Sequence, residues 1–189
     1  MNKNDARYIR THKALQDAFE NLIMNSKPGS INVSSITQAA DVNRRTFYLH
    51  YETVDDMFDE LADKLADELS LCIADASRSD PGNIGMLVRR IIDFIGENKP
   101  LHKKLICSSD YNRIFSRISE RLAAGFIFSQ NETLDHNQKF YFQLRLESTS
   151  FTIMNSIRQW LIQGEPISAE ALTDCIVELT GLPGTLNTV

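Results

Sequence analysis

The sequence predicts an all-α protein of about nine helices, with an amino-terminal helix-turn-helix head followed by a bundle of longer helices. Three observations predict it. Apolar residues recur at helical spacing along nearly the whole chain, and no stretch shows the clean alternation that marks a half-buried strand. Breaker clusters (Pro28-Gly29, Asp80-Pro81-Gly82, Asn98-Lys99-Pro100, Gly164-Glu165-Pro166 and Gly181-Leu182-Pro183-Gly184) cut that pattern into helix-sized pieces. Between residues 32 and 51, two short periodic pieces flank a tight turn, the layout of a helix-turn-helix.

The elements follow in order. Leu15, Ala18, Phe19, Leu22 and Ile23 stand at i, i+3, i+4, i+7 and i+8, giving a first helix over about Asp5–Asn25. A short helix over about 33–40, a turn at Asp41-Val42 and a second short helix over about 44–50 come next. Asp41 occupies the reversal, where a residue tolerant of the left-handed region is needed. Asn43 caps the second short helix, and Thr53 caps a long helix running to about Ala76, with Asp55 and Asp56 favourably placed in its first turn. Asn83 starts a helix with Ile84, Leu87, Val88, Ile91, Ile92 and Ile95 on one face. A short helix over about Leu101–Cys107 follows Pro100, and Asp110 caps a helix with Tyr111, Ile114, Phe115, Ile118, Leu122 and Phe126 inward. The longest helix, about His136–Gln163, is apolar on more than one face, so neighbouring helices or a second subunit must enclose it. Ser168 starts the last helix and Gly181 ends it.

Composition narrows the function. The 189 residues are 42% hydrophobic and 24% charged, ordinary for a soluble globular protein. No apolar run has the length of a membrane span, and residues 1–10 are too polar for a signal peptide, so the expected location is cytoplasmic. Cys72, Cys107 and Cys175 lie far apart and suit neither a disulfide framework nor a zinc site, and no metal or other cofactor is expected. There is no glycine-rich phosphate loop and no nucleophile elbow, so an enzyme is not expected. The net charge of −5 is unevenly spread: residues 1–51 hold seven Lys/Arg against four acids, and residues 52–189 hold 13 against 21. A basic end on an acidic body suits a nucleic-acid partner at the amino terminus.

Val33, Ile36, Ala40, Val42, Phe47 and Tyr51 are spaced to share a small core with the first helix. The opposite face then presents Arg44, Arg45, Thr46, Tyr48 and, one turn on, His50. Arginine matches guanine O6/N7 in the major groove, the threonine methyl matches thymine, and tyrosine or histidine can donate to phosphate. The alternative is a solvated arginine pair on a protein-interaction module.

The run Thr46-Phe-Tyr-Leu-His-Tyr51, followed by Asp55-Asp56-Met57-Phe58 and preceded by Ile36…Ala39-Ala40-Asp41-Val42, strongly resembles the TetR family over roughly residues 7–68. The resemblance implies a DNA-binding domain over 5–68, with its helix-turn-helix at about 32–51, and a regulatory and dimerisation domain over 69–189. It implies DNA contact by Ser34, Arg44, Arg45, Thr46, Tyr48 and His50, with double-stranded operator DNA as partner. The family's usual turn glycine is Asp41 here, and its common phosphate-binding lysine is Val54. Backbone contacts are therefore expected from Arg7, Arg10 or Lys13. The resemblance further implies a homodimer through the last two long helices and a repressor released by a small-molecule effector. Phe94, Tyr111, Phe115, Phe126, Phe140, Met154 and Trp160 are the candidate pocket, although aromatic and Met residues at helical spacing are more often plain core. An adaptor or activator whose body binds a protein instead is the alternative.

Asp55, Asp59, Asp63 and Asp67 form an i, i+4 acidic stripe, read as a solvated face partly neutralised by Arg or Lys from neighbouring helices rather than a cation site or a DNA-repelling surface. His102 and His136 lie near breakers in polar surroundings and are read as surface residues.

Overall fold

The computed structural model describes residues 5–26, 30–79, 83–108, 115–116 and 135–181. Its helices are α1 (Ala6–Asn25), α2 (Val33–Ala39), α3 (Arg44–Phe47), α4 (Val54–Ser79), α5 (Ile84–Glu97), α6 (Lys99–Ile106), α7 (His136–Ile162) and α8 (Ala169–Thr180), and no strand occurs among the described residues. The helix expected after Asp110 lies outside the described residues apart from Phe115 and Ser116.

Local chemistry sets the helix starts. The Asp5 side chain accepts from the Arg7 amide, Asn32 from Ser35, Asn43 from Thr46, Asn83 from Met86, Asp135 from Gln138 and Ser168 from Ala171. At the start of α4 the bonds are reciprocal. Thr53 Oγ1 accepts the Asp56 amide at 3.2 Å, and the Asp56 carboxylate accepts the amides of Glu52 and Thr53, each at 2.8 Å. Such caps satisfy amides that a helix leaves without partners, each contributing about 1 kcal/mol. Gly181 closes α8 at φ 59°, a left-handed conformation that glycine adopts without a Cβ clash.

In the head, α1 packs on α2 and α2 on α3. Leu15, Phe19, Ile36 and Phe47 are almost wholly enclosed there, with Tyr51 buried beside them. Each fully buried apolar side chain of this size contributes about 1.5–3 kcal/mol. In the body, α5 packs on α4, α6 and α8, and α7 packs on α8. The buried cluster is continuous from the head through Met57, Leu61, Leu65 and Leu69 of α4 to Val88, Ile91 and Ile95 of α5, then to Ile157, Leu161 and Ile176. A second connection between the parts runs from α1 to α6.

Helix α6 is fastened at both ends. Glu165, in the left-handed region at φ 63°, pairs with Lys99 at 2.6 Å and Lys103 at 3.4 Å. The hydrogen bond from Lys99 holds the Glu165 carboxyl below its ordinary range, against an opposing effect of burial. At the other end Arg158 Nε donates to the Ile106 carbonyl at 3.0 Å.

Two expectations need correction. His102 is buried, not at the surface. It lies on the same helical face as Leu101, Leu105 and Ile106, stacks on Phe94 with centroids 4.9 Å apart, and donates from Nδ1 to the Ile95 carbonyl at 3.1 Å. That bond gives one ring nitrogen a partner, which lowers the cost of burying it. Phe140, expected in an interior pocket, is 64% exposed. Helical spacing shows that an apolar face needs a cover, but does not say whether the same chain supplies it.

Candidate nucleic-acid interface

The helix-turn-helix is built on a turn held at Asp41, whose φ of 53° is left-handed. The Val42 amide donates to the Thr37 carbonyl at 3.0 Å across this turn. The Ile36 and Phe47 anchors, with Val33, Ala40 and Val42 packed against the same core, then fix how α3 leaves the head. Asn43 Oδ1 accepts both the amide of Thr46 at 2.8 Å and its hydroxyl at 3.0 Å. The Thr46 hydroxyl proton is therefore engaged within the protein, which leaves the methyl and the oxygen's lone pairs as the groups open to a partner.

With Phe47 buried inward, Arg44, Arg45 and Tyr48 are exposed and Thr46 is half-buried. Tyr48 is 53% exposed, its ring edge-on to Phe47 at 5.5 Å. Among the described residues, no carboxylate lies within ion-pair distance of either Arg44 or Arg45. Ser34 of α2 is exposed, as are Arg7, Arg10 and Lys13 of α1. The pattern gives free guanidinium donors, a phenol and a methyl on a short, rigidly capped element, a set able to meet base edges and phosphates.

His50 departs from this arrangement. Both of its ring nitrogens are enclosed, and neither has a hydrogen-bond partner. Its ring stacks on Tyr8 of α1 with centroids 4.1 Å apart. In this conformation it offers phosphate no donor. Tyr8 and His12, which the sequence reading passed over, complete the cluster: His12 Nε2 meets Glu60 Oε1 at 2.8 Å. The available signal was their i, i+4 spacing, which continues the inward line of α1 toward Leu15. Leu49, also passed over, is 51% exposed beside Tyr48.

The candidate pocket residues are dispersed in role. Phe94 and Met154 are buried in the continuous core. Phe115 packs against that core, edge-on to Phe151 at 6.1 Å. Trp160 donates from Nε1 to the Ile167 carbonyl at 2.8 Å and so ties down the α7–α8 turn. Tyr111 and Phe126 lie outside the described residues. A recess lies at the α1–α4 junction, lined by Gln16, Phe19, Tyr51, Met57, Glu60 and Lys64. Among the described residues, no group of three or more His, Cys, Asp or Glu could hold a metal ion, and no helix is long and apolar enough to cross a membrane.

No family model matches the chain. It is 24% identical over 135 residues to the HTH-type dhaKLM operon transcriptional activator DhaS of Lactococcus lactis, covering 71% of this chain and 70% of that protein. Among solved structures, a TetR transcriptional regulator from Streptococcus agalactiae superimposes with a TM-score of 0.65 at 19% identity, covering 91% of this chain and 94% of the other. A TetR-family regulator from Streptomyces coelicolor gives 0.59 at 17% identity, covering 89% and 80%. These likenesses establish the fold: the chain is folded as TetR-type regulators are.

Proposed function

We propose that this chain is a TetR-type transcriptional regulator that binds duplex DNA through α3. The observation that carries the reading is a capped four-residue helix with Phe47 anchored inward and Arg44, Arg45 and Tyr48 outward and unneutralised. Arg44 and Arg45 read base edges, Thr46 offers its methyl, and Tyr48 and Ser34 bind backbone. Arg7, Arg10 and Lys13 supply further phosphate contacts where Val54 supplies none. The DNA-binding unit spans 5–68 and the regulatory and dimerisation unit spans 69–189.

The protein acts as a homodimer joined through α7 and α8. Phe140, Tyr141, Leu144 and Phe151 of α7 and Leu179 of α8 are all more than half exposed. A bare apolar row of that size on neighbouring helices supports a partner surface. Two-fold symmetry would set two reader helices about 34–36 Å apart, one turn of a palindromic operator. Repression follows from occlusion of a promoter, with release by a small-molecule effector that binds the DNA-free conformation better. A second reading is an activator whose body engages a protein partner; the likeness to an operon activator supports it.

The test is selection of bound sequences from random duplexes, followed by mobility-shift assay of the winner. An enriched palindrome supports the reading. No enrichment, with binding absent at low salt, would sink it. Transcription from the selected site with and without the protein then decides between repressor and activator.

A further inference from the structure

Where α1, α4 and the segment after α3 meet, four rings form a cluster that base reading does not use. Tyr8 and His12 come from α1, and His50 and Tyr51 follow α3. Tyr8 lies on His50 at 4.1 Å, with 27° between the planes. His12 lies 5.2 Å from Tyr51 and 5.6 Å from His50. Glu60 of α4 accepts from His12 Nε2 at 2.8 Å and from Gln16 Nε2 at 2.9 Å. Among the described residues, the buried side-chain nitrogens and oxygens without a hydrogen-bond partner are His12 Nδ1 and both nitrogens of His50.

A neutral His50 leaves one buried N–H unmet. A protonated His50 would place two donors and a full charge where no acceptor stands, which is far more costly. The titratable groups around it are Tyr8 and His12 from α1, Tyr51 from its own segment and Glu60 from α4. Glu60 is the carboxylate among them, and His12 and Gln16 already bond it.

We propose that His50 is a proton-sensitive latch on the reader head: protonation opens the Tyr8–His50 stack, frees the end of α3 from α1 and removes the DNA-reading geometry. Burial first, and then His12, hold the His50 pKa below its ordinary value, with Glu60 acting the other way. The folded head therefore takes up this proton less readily than the unfolded chain. Its stabilising contribution is fully present above the ordinary histidine pKa of about 6.5, and it is lost as the pH falls below that toward the folded value. The loss of affinity rests on the DNA-binding reading; the opening of the head does not.

The full chain, whose four histidines are carbon-13 labelled, is titrated by NMR from about pH 8 to about pH 5 across the histidine range. His50→Phe assigns the signal and keeps an aromatic ring against Tyr8. A His50 midpoint below the ordinary range, coincident with loss of Tyr8–His50 cross-peaks, is the expected result. A midpoint at or above that range, or a stack that persists once His50 is charged, overturns the proposal. In parallel, anisotropy with a labelled random-sequence duplex should show wild-type affinity falling about tenfold or more on acidification, equal to about 1.4 kcal/mol, while His50→Phe holds its affinity. A phosphate-donating His50 predicts the opposite sign, tighter wild-type binding in acid, and that outcome also overturns the latch. If His50→Phe does not fold, Tyr8→Ala replaces it: uncovering the ring should return the midpoint toward the ordinary value, and an unmoved midpoint counts against the latch. Absence of duplex binding at every pH removes the DNA reading and leaves the NMR result to judge the latch.

Discussion

Arg44 and Asp41 carry opposite kinds of information. Arg44 is exposed and has no ion-pair partner among the described residues, so its removal should leave the head folded. Arg44→Ala is expected to weaken operator binding by about 1–3 kcal/mol and to relax discrimination at one base pair. Equilibrium binding to the selected site and to its single-base variants measures both, and an unchanged base preference would remove Arg44 from the reading set. Asp41 acts on the backbone. At φ 53° a β-branched residue meets its own carbonyl, so Asp41→Val should lower stability by about 1–2 kcal/mol, whereas Asp41→Gly should be neutral or slightly stabilising. Urea unfolding of the two variants checks the pair. The need for a left-handed residue was legible from the turn between two short periodic pieces. The inward turn of His50 was not, because Tyr8, which covers it, is distant in sequence.

Helix α3 is too short to stand alone, since nucleating a helix costs more than four residues return. It persists because Asn43 caps its start and Phe47 anchors its end. Asn43→Ala should therefore cost about 1 kcal/mol, felt in the head. Duplex affinity should drop while the body's hydrogen-exchange protection stays unchanged; equal loss of protection in α7 and α8 would show that the head and body unfold together. Helix α6 shows how an element acquires a role from its neighbours. Glu165 and Arg158 fasten its two ends to the α7–α8 turn and to α7, and its flank meets α1. Its short apolar pattern predicted a helix, but not that it bridges body and head.

At the level of the whole molecule, charge and symmetry make the predictions. Phe140 and Phe151 are 64% and 58% exposed and neither belongs to the buried cluster, Phe151 touching only its edge through Phe115. For the proposed homodimer, with the wild type dimeric by light scattering, the double variant Phe140→Asp, Phe151→Asp should be a folded monomer, with DNA affinity reduced by loss of the second head. A variant that remains dimeric places the interface elsewhere. Binding should also fall steeply with salt, by about 10³-fold or more between about 50 and 200 mM where six or more phosphates are neutralised. A flat response would contradict a reader whose amino-terminal 51 residues hold seven Lys/Arg against four acids.

Among the described residues, the sequence by itself determined the helices, most of their caps, the left-handed turn and the exposed arginines of α3, because a helical period and a cap are settled within about four residues of one another. Tertiary structure decided which polar rings go inside and which apolar rings stay out. His50 lies under Tyr8, His102 lies on Phe94, and Phe140 is left bare. Those outcomes depend on which distant element arrives to stack, to accept a hydrogen bond or to cover a face, and periodicity carries no record of the partner.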